Sequence, residues 1–273
     1  MSTLLIHPTA VIHPATRIHE TVTIGPYSVI EEGVELGPQT TVGPFVQICS
    51  GVSTGEQCEI HAHCVIGGLP QALNFDPKTL SGVKMGDRVV IREGSSINRS
   101  TQAGSFTEIG NNCFLMATTH VAHDCIVGNH VIMAHNSGLA GHVTVGDNTF
   151  VGGAAVFHQC CRIGEGAIIG GASRISMDVP PFTMTAERNE LIGLNLIGLK
   201  RRGYSREAIK ALKLAFREVC GTSGNMKERA ALRLGKGVAE EVERCFLAFF
   251  ADGKRGFVQP NGRALDNEAG AKS

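Results

Sequence analysis

An aliphatic side chain recurs at every sixth position along most of this chain: Ile12, Ile18, Ile24, Ile30, Leu36, Val42, Ile48, Ile60 and Ile66, with only Thr54 out of place. After a slip in phase the row resumes as Met85, Ile91, Ile97, Ala103, Ile109, Leu115, Val121, Val127, Met133, Leu139, Val145, Val151, Phe157, Ile163, Ile169 and Ile175. Two positions before the row residue stands something small or β-branched, such as Val22, Ser28, Val34, Thr40, Thr107, Ser137, Thr149 or Ser173, giving a second inward row. Gly often follows the row residue, as at Gly25, Gly43, Gly110 and Gly128, where a turn free of Cβ penalty is expected. A period of six with two inward positions suits neither an α-helix nor an ordinary amphipathic strand. It suits short strands joined by corners into a parallel β-helix. Three hexapeptides close one triangular coil, so the row predicts roughly nine coils, about 40 Å of prism at the ~4.8 Å strand spacing, from about residue 5 to 178.

Composition agrees with a thin, regular core. Two Tyr, no Trp and 18% charged residues fit neither a large aromatic-anchored core nor a disordered chain. Five of the nine cysteines (Cys58, Cys64, Cys113, Cys125, Cys161) fall in the small inward slot and are expected to be buried small hydrophobes, not metal or redox groups. Lys and Arg balance Asp and Glu at 25 each, which argues against nucleic-acid binding driven by whole-chain charge. No apolar run is long enough to span a bilayer and Met1–Ile6 has no signal-peptide character. A cytoplasmic protein without stable membrane insertion is expected.

The prism is interrupted over residues 67–84, where Pro70, Pro77 and Gly82 replace the row; an excursion of this length is often functional. Past Val179, Pro180 and Pro181 the period ends. Ser205 opens a helical pattern through Ile209, Leu212, Phe216 and Val219, and Met226–Leu234 and Val238–Phe250 read as two more helices. The expected layout is a β-helix over 1–190 with its loop at 67–84, a helical domain over 191–258, and a disordered tail over 259–273. Residues 199–255 carry 14 basic and 7 acidic side chains, whereas residues 1–198 carry 9 and 16. Neutrality conceals a dipolar molecule.

Histidines gather late in the prism: His120, His123, His142 and His158. With three hexapeptides per coil Gly141 stacks on His123 and Gln159 on Gly141, so His123, His142 and His158 fall close to one edge. Histidine also occupies other corners (His7, His13, His19, His61, His63), so a purely structural reading stands beside the functional one. Two chemistries are open to the cluster. Three histidines could hold zinc, as in β-helical carbonic anhydrases with ligands from neighbouring subunits; these candidates spread over three coils and the basic helical part has no task in that reaction, so no metal is expected. Alternatively one neutral imidazole is a general base, its ordinary pKa near 6.5 suiting proton removal at neutral pH, with Asp124 orienting it.

The fold pattern resembles the hexapeptide-repeat acyltransferases, whose coil is left-handed. Six stretches narrow the resemblance: IHPTAVI at the start, HVAHDC, LAGHVTVG, the His-Gln of FHQCC, DVPPF, and GLNLIGLKRRGYSREAI. Together they resemble the UDP-N-acetylglucosamine O-acyltransferases of lipid A biosynthesis. A coil beginning at residue 5, without a sugar-binding domain before it, is more similar to these than to their N-acyltransferase cousins. The resemblance implies transfer of a 3-hydroxyacyl chain from acyl carrier protein to the 3-position of a UDP-sugar, without cofactor or covalent enzyme intermediate. It assigns His123 as general base and the Gly141 N–H to the oxyanion. His120, His142 and His158 match substrate contacts, and Gln159, Asn195, Arg201 and Arg202 match positions holding the UDP moiety. Gln71 matches a sugar-binding Gln, but Ala72 and Asn74 stand where the family usually has Asp and Lys, which leaves open a modified sugar such as a 3-amino analogue. Cys160 replaces a common Phe. Gly171 matches the position that limits acyl length, with a corner glycine as the competing reading. A homotrimer is implied, with sites between subunits and the acidic carrier protein docked on residues 199–255. A zinc enzyme and an inactive structural β-helix remain the competing classes.

Overall fold

The computed structural model describes residues 5–221 and 224–260. From Val11–Ile12 to Arg174–Ile175, 25 short strands, most of them two residues long, alternate with corners. Each pairs in parallel with the third strand before and after it, so the chain winds through three sheets as a left-handed β-helix. One sheet, nine strands from Val11–Ile12 to Arg174–Ile175, forms the face that carries His120. Pairings such as Val11↔Val29 and His120↔Gly138 advance by three hexapeptides, so row residues stack on row residues. From Ile24 onward the row side chains in strands are buried, apart from the half-buried Thr54, and the five small-slot cysteines are at most 1% exposed. Burial pushes their thiols up, to about 12 for Cys125 and about 11 for Cys64, Cys113 and Cys161. These are packing groups, not thiolates.

The glycines that follow the row are needed for a different reason from the one expected. The left-handed backbone falls instead on the second corner residue, at φ 60° for both Asp124 and His142. At Gly25 a Cβ would lie 2.7 Å from the Gly43 carbonyl carbon of the next coil; stacking distance, not turning, excludes a side chain there.

Register exposes two insertions. Ile66 pairs with Ile97 and Val52 with Val83, steps well beyond the three hexapeptides of a plain coil. Gly67, Gly68 and Gly82–Lys84 belong to strands Val65–Gly68 and Gly82–Met85, so the first loop proper is residues 69–81. The second is a correction to the row. Val83 pairs with Thr107 and Ser96 with His120, four hexapeptides on instead of three, and Ala103 is exposed in a turn. An insertion of one whole hexapeptide leaves the period in phase, so it is silent in the sequence.

Past the prism, Thr183–Ala186 and Glu190–Leu194 form an antiparallel hairpin on the last coil, spanning the boundary expected at 190/191. Helix α1 (Leu196–Arg201) follows, then α2 (Arg206–Cys220), α3 (Met226–Gly235) and α4 (Glu241–Ala248). Ser205 caps α2 by accepting the Ala208 N–H, as its position predicts. Leu212, Phe216, Phe246 and Phe250 close the small helical core. Gln259–Pro260, expected to begin an unstructured tail, instead pair with Glu190–Leu191; the rest of that expected tail lies outside the described residues.

Candidate active site

His123 and Asp124 are the two residues of one corner. The His ring is 7% exposed, and its Nδ1 lies 2.7 Å from Asp124 Oδ2. Asp124 also accepts from Ser100 Oγ, from Thr101 Oγ1 at 2.6 Å and from the Thr101 N–H at 3.2 Å. Burial alone would raise the carboxyl pKa; these hydrogen bonds outweigh it and hold the group below its ordinary value. An ionised Asp124 accepts the Nδ1 proton of His123, which leaves Nε2 as the atom with a free lone pair.

Gly141 stacks on His123 as the coil period predicts. A Cβ there would fall 2.7 Å from Nε2 and 3.0 Å from Nδ1, so the imidazole lies flat on the glycine. The N–H of this first corner position takes no part in the coil ladder. Ladder bonds run on either side of it, from Ala122 N to Leu139 O and from His142 N to His123 O, and the same corner position holds Pro8, Pro14, Pro26, Pro38 and Pro44 elsewhere. Beside the His ring there is thus an amide donor that the fold does not use.

His142, second residue of the next corner, sets its ring edge-on to His123 at 5.2 Å between centroids, with Nε2 3.6 Å from Asp124 Oδ2. The excursion 69–81 reaches over these corners. Gln71, Ala72, Asn74, Asp76 and Thr79 meet Thr101, His123, His142 and Gln159 around a cleft of about 770 Å³, a volume suited to a small-molecule substrate. His120 lies one strand earlier, its Nδ1 2.8 Å from Ser96 Oγ, and burial followed by the nearby His123 lowers its pKa. His158 directly follows strand Val156–Phe157, two strands further along the same sheet than His120. Arg255 Nη2, always a donor, lies 2.6 Å from its Nδ1, so the His158 proton sits on Nε2.

Among the described residues one group has metal-ligand spacing: His123, Asp124 and His142, with ligand atoms within 4.8 Å. Its donor chemistry fits a proton better than a cation, because Asp124 Oδ2 already accepts from His123 and Thr101 and Oδ1 from Ser100. A metal would have to displace those bonds.

Comparison with known proteins decides between the classes. Residues 178–258 match the family model described as UDP N-acetylglucosamine O-acyltransferase, domain 2, and residues 15–50 and 106–141 match the bacterial transferase hexapeptide repeat. A Myxococcus xanthus protein named acyl-acyl-carrier-protein UDP-N-acetylglucosamine O-acyltransferase is 47% identical over 93% of this chain and 99% of its own length. The chain belongs to the UDP-N-acetylglucosamine O-acyltransferase family. A Campylobacter jejuni relative of the same name is 44% identical over 94% of this chain and 98% of its own. Among solved structures, UDP-N-acetylglucosamine O-acyltransferase from Moraxella catarrhalis superposes with a TM-score of 0.89 at 35% identity, covering 94% of this chain and 100% of that one.

Of the residues that family resemblance ties to the nucleotide, Gln159 lines the His123 cleft, whereas Asn195, Arg201 and Arg202 lie elsewhere on the chain. Asn195 and Arg201 border an apolar cavity of about 680 Å³ with Phe150, Ile168, Met184 and Leu194, against a different face of the prism from His123. Asn195 is 6% exposed and spends its amide on the fold, accepting the Gly198 N–H as cap of α1 and donating to Gly166 O at 2.9 Å. Arg202 turns inward, with Nη1 3.6 Å from Glu165 and its guanidinium 5.3 Å from the Phe182 ring centre; Arg201 is exposed. Gly171 is an exposed corner residue at the far edge of the His120 face. One chain therefore brings together Gln71, His123, Asp124, Gly141, His142 and Gln159. It leaves Asn195, Arg201, Arg202 and Gly171 apart from them.

Sequence reasoning missed Ser100, Thr101, Asp76 and Arg255. Ser100 and Thr101 stand about one hexapeptide further back from Asp124 than a plain coil allows, so counting back by one coil points past them to Phe106. Arg255 had no signal beyond belonging to a basic stretch.

Proposed function

We propose that this chain transfers a 3-hydroxyacyl group from acyl carrier protein to the 3-hydroxyl of UDP-N-acetylglucosamine, the first step of lipid A biosynthesis, with His123 as general base. The observation that carries the assignment is the His123 seat: Nδ1 given to Asp124 at 2.7 Å, Nε2 free, and the unused Gly141 amide beside it. His123 Nε2 takes the proton of the sugar hydroxyl as that oxygen attacks the thioester carbonyl. The tetrahedral oxyanion accepts the Gly141 N–H. Its collapse breaks the C–S bond, and the imidazolium returns the proton to the departing thiolate of the carrier. Asp124 holds the imidazole and steadies its cationic form. No cofactor enters.

In this reading Gln71 holds the sugar, Gln159 the UDP moiety, and His120, His142 and His158 contact substrate. Arg201, with an exposed fork suited to phosphate, and Asn195 and Arg202 come from a neighbouring subunit of a homotrimer, which also explains why they lie away from His123 within one chain. Gly171, lacking a side chain at the far edge of the face, leaves room for a long acyl chain. The relatives' names favour O-acyl transfer over the 3-amino alternative, despite Ala72 and Asn74 lining the cleft. Among the described residues no helix is long and apolar enough to cross a membrane, and we assign the enzyme to the cytoplasm, where the carrier protein and UDP-sugars are.

The test is turnover of UDP-N-acetylglucosamine with acyl carrier thioester by His123→Ala. A loss of about a hundredfold or more with an unchanged melting temperature is expected. Near-normal turnover by the folded variant contradicts the assignment.

A further inference from the structure

The hexapeptide insertion that the sequence period conceals lies directly under the His–Asp corner. Ser100 is fully buried, and its hydroxyl donates to Asp124 Oδ1 while accepting the Gln102 N–H at 3.0 Å. Thr101 lines the cleft and gives Asp124 two donors, Oγ1–H to Oδ2 at 2.6 Å and N–H to Oδ1 at 3.2 Å. The segment is itself pinned. Ser100 O accepts from Ser81 Oγ at 2.5 Å and the Ser100 N–H reaches Gly82 O at 3.3 Å, at the end of the loop that roofs the cleft. Just upstream, Asn98 Nδ2 donates to Leu69 O and Arg99 Nη2 to Pro77 O, so the same strand end holds that loop from below.

A carboxylate free to rotate about its Cβ–Cγ bond has two imidazoles to choose from: His123 Nδ1 at 2.7 Å and His142 Nε2 at 3.6 Å, both measured from Oδ2. The donors of Ser100 and Thr101 fix the carboxylate plane in the orientation that serves His123. They also keep Asp124 ionised against its burial. We propose that Ser100 and Thr101 are positioning residues of the His123–Asp124 pair, setting through Asp124 the ring orientation and tautomer of His123. The proposal rests on the reading of His123 as general base.

The test compares Thr101→Val, which removes the hydroxyl at nearly constant shape, with Thr101→Ser, which keeps it, and with Ser100→Ala and His123→Ala, using acyl carrier thioester and UDP-N-acetylglucosamine across pH. Thr101→Val and Ser100→Ala are each expected to lower kcat by about tenfold, and the pair by up to about a hundredfold, the scale of a small misplacement of a reacting group. KM for the UDP-sugar stays within about twofold, because neither hydroxyl is assigned to substrate. The acidic limb of the kcat profile moves to higher pH, since Asp124 loses donors that hold its pKa down. Thr101→Ser restores both kcat and the limb. If His123→Ala is inactive while folded Thr101→Val keeps kcat within twofold and its acidic limb unmoved, the positioning role is wrong and the general base stands. If His123→Ala itself turns over normally, the base assignment fails and takes this inference with it. Should Ser100→Ala fail to fold, Thr101→Val decides alone.

Discussion

His123 gives Nδ1 to Asp124 and, under the proposed function, keeps Nε2 for substrate, so loss of the ring and disturbance of its seat are separable experiments. Asp124→Asn is expected to cost less than His123→Ala, because it weakens orientation but leaves the base. Gly141→Ala tests the seat itself. The added Cβ must push the imidazole away, while the corner tolerates even proline in other coils; activity should fall by about a hundredfold with little change in melting temperature, and an active Gly141→Ala would mean that the ring does not work from this position. His120 supplies a pH signature. Burial and then His123 lower its pKa below the ordinary value near 6.5, so the unfolded chain takes up this proton first as pH falls. The stabilisation is complete above about pH 6.5 and is lost as pH drops from there through the folded value. In His120→Asn the fall in melting temperature between pH 7 and pH 5 should be smaller than in the parent; an equal fall would place the acid sensitivity in other groups. At this scale the stacking of His123, Gly141 and Gln159 was legible from the coil period alone, because all three lie beyond the last insertion. Ser100 and Thr101 were not, since their contact with Asp124 depends on a step of four hexapeptides that the repeat disguises as three.

Two-residue strands have almost no local identity; they exist because each coil supplies hydrogen bonds to the next. This is why the hexapeptide row announced the prism so clearly and why the elements after it were read less well. The hairpin Thr183–Leu194 and the short α1 carry neither a six-residue nor a sustained helical pattern, and both depend on packing against the last coils. Helix α2 was legible, because Ser205 and the apolar stripe Ile209, Leu212, Phe216, Val219 are local signals. Lys200, Arg201, Arg206 and Lys210 are exposed along α1 and α2, in the stretch that carries the basic excess. Under the proposed function, we propose this surface as the dock for an acidic acyl carrier protein. Attraction between exposed charges weakens as the Debye length shrinks from about 10 Å at 0.1 M salt to about 3 Å at 1 M. Turnover with acyl carrier protein at limiting concentration should therefore fall steeply with salt, while turnover with a short pantetheine thioester should respond much less. Equal salt dependence for both donors would remove the docking assignment.

Across the whole molecule, the basic helical end sits on an acidic prism, and the candidate site residues are divided between two faces of that prism. The proposed symmetric trimer would resolve the division by setting the His123 edge of one subunit against the Arg201 side of the next. In that trimer neither half would be complete alone. His123→Ala and Arg201→Ala homotrimers should each be nearly inactive at low UDP-sugar concentration. Unfolded together in equal amounts and refolded, they form mixed trimers alongside the parents, and over all trimers about a quarter of the interfaces pair an intact His123 edge with an intact Arg201. Recovery of about a quarter of the wild-type activity is the expected result, and mixed trimers as inactive as their parents would contradict a site built on His123 and completed by a neighbouring subunit.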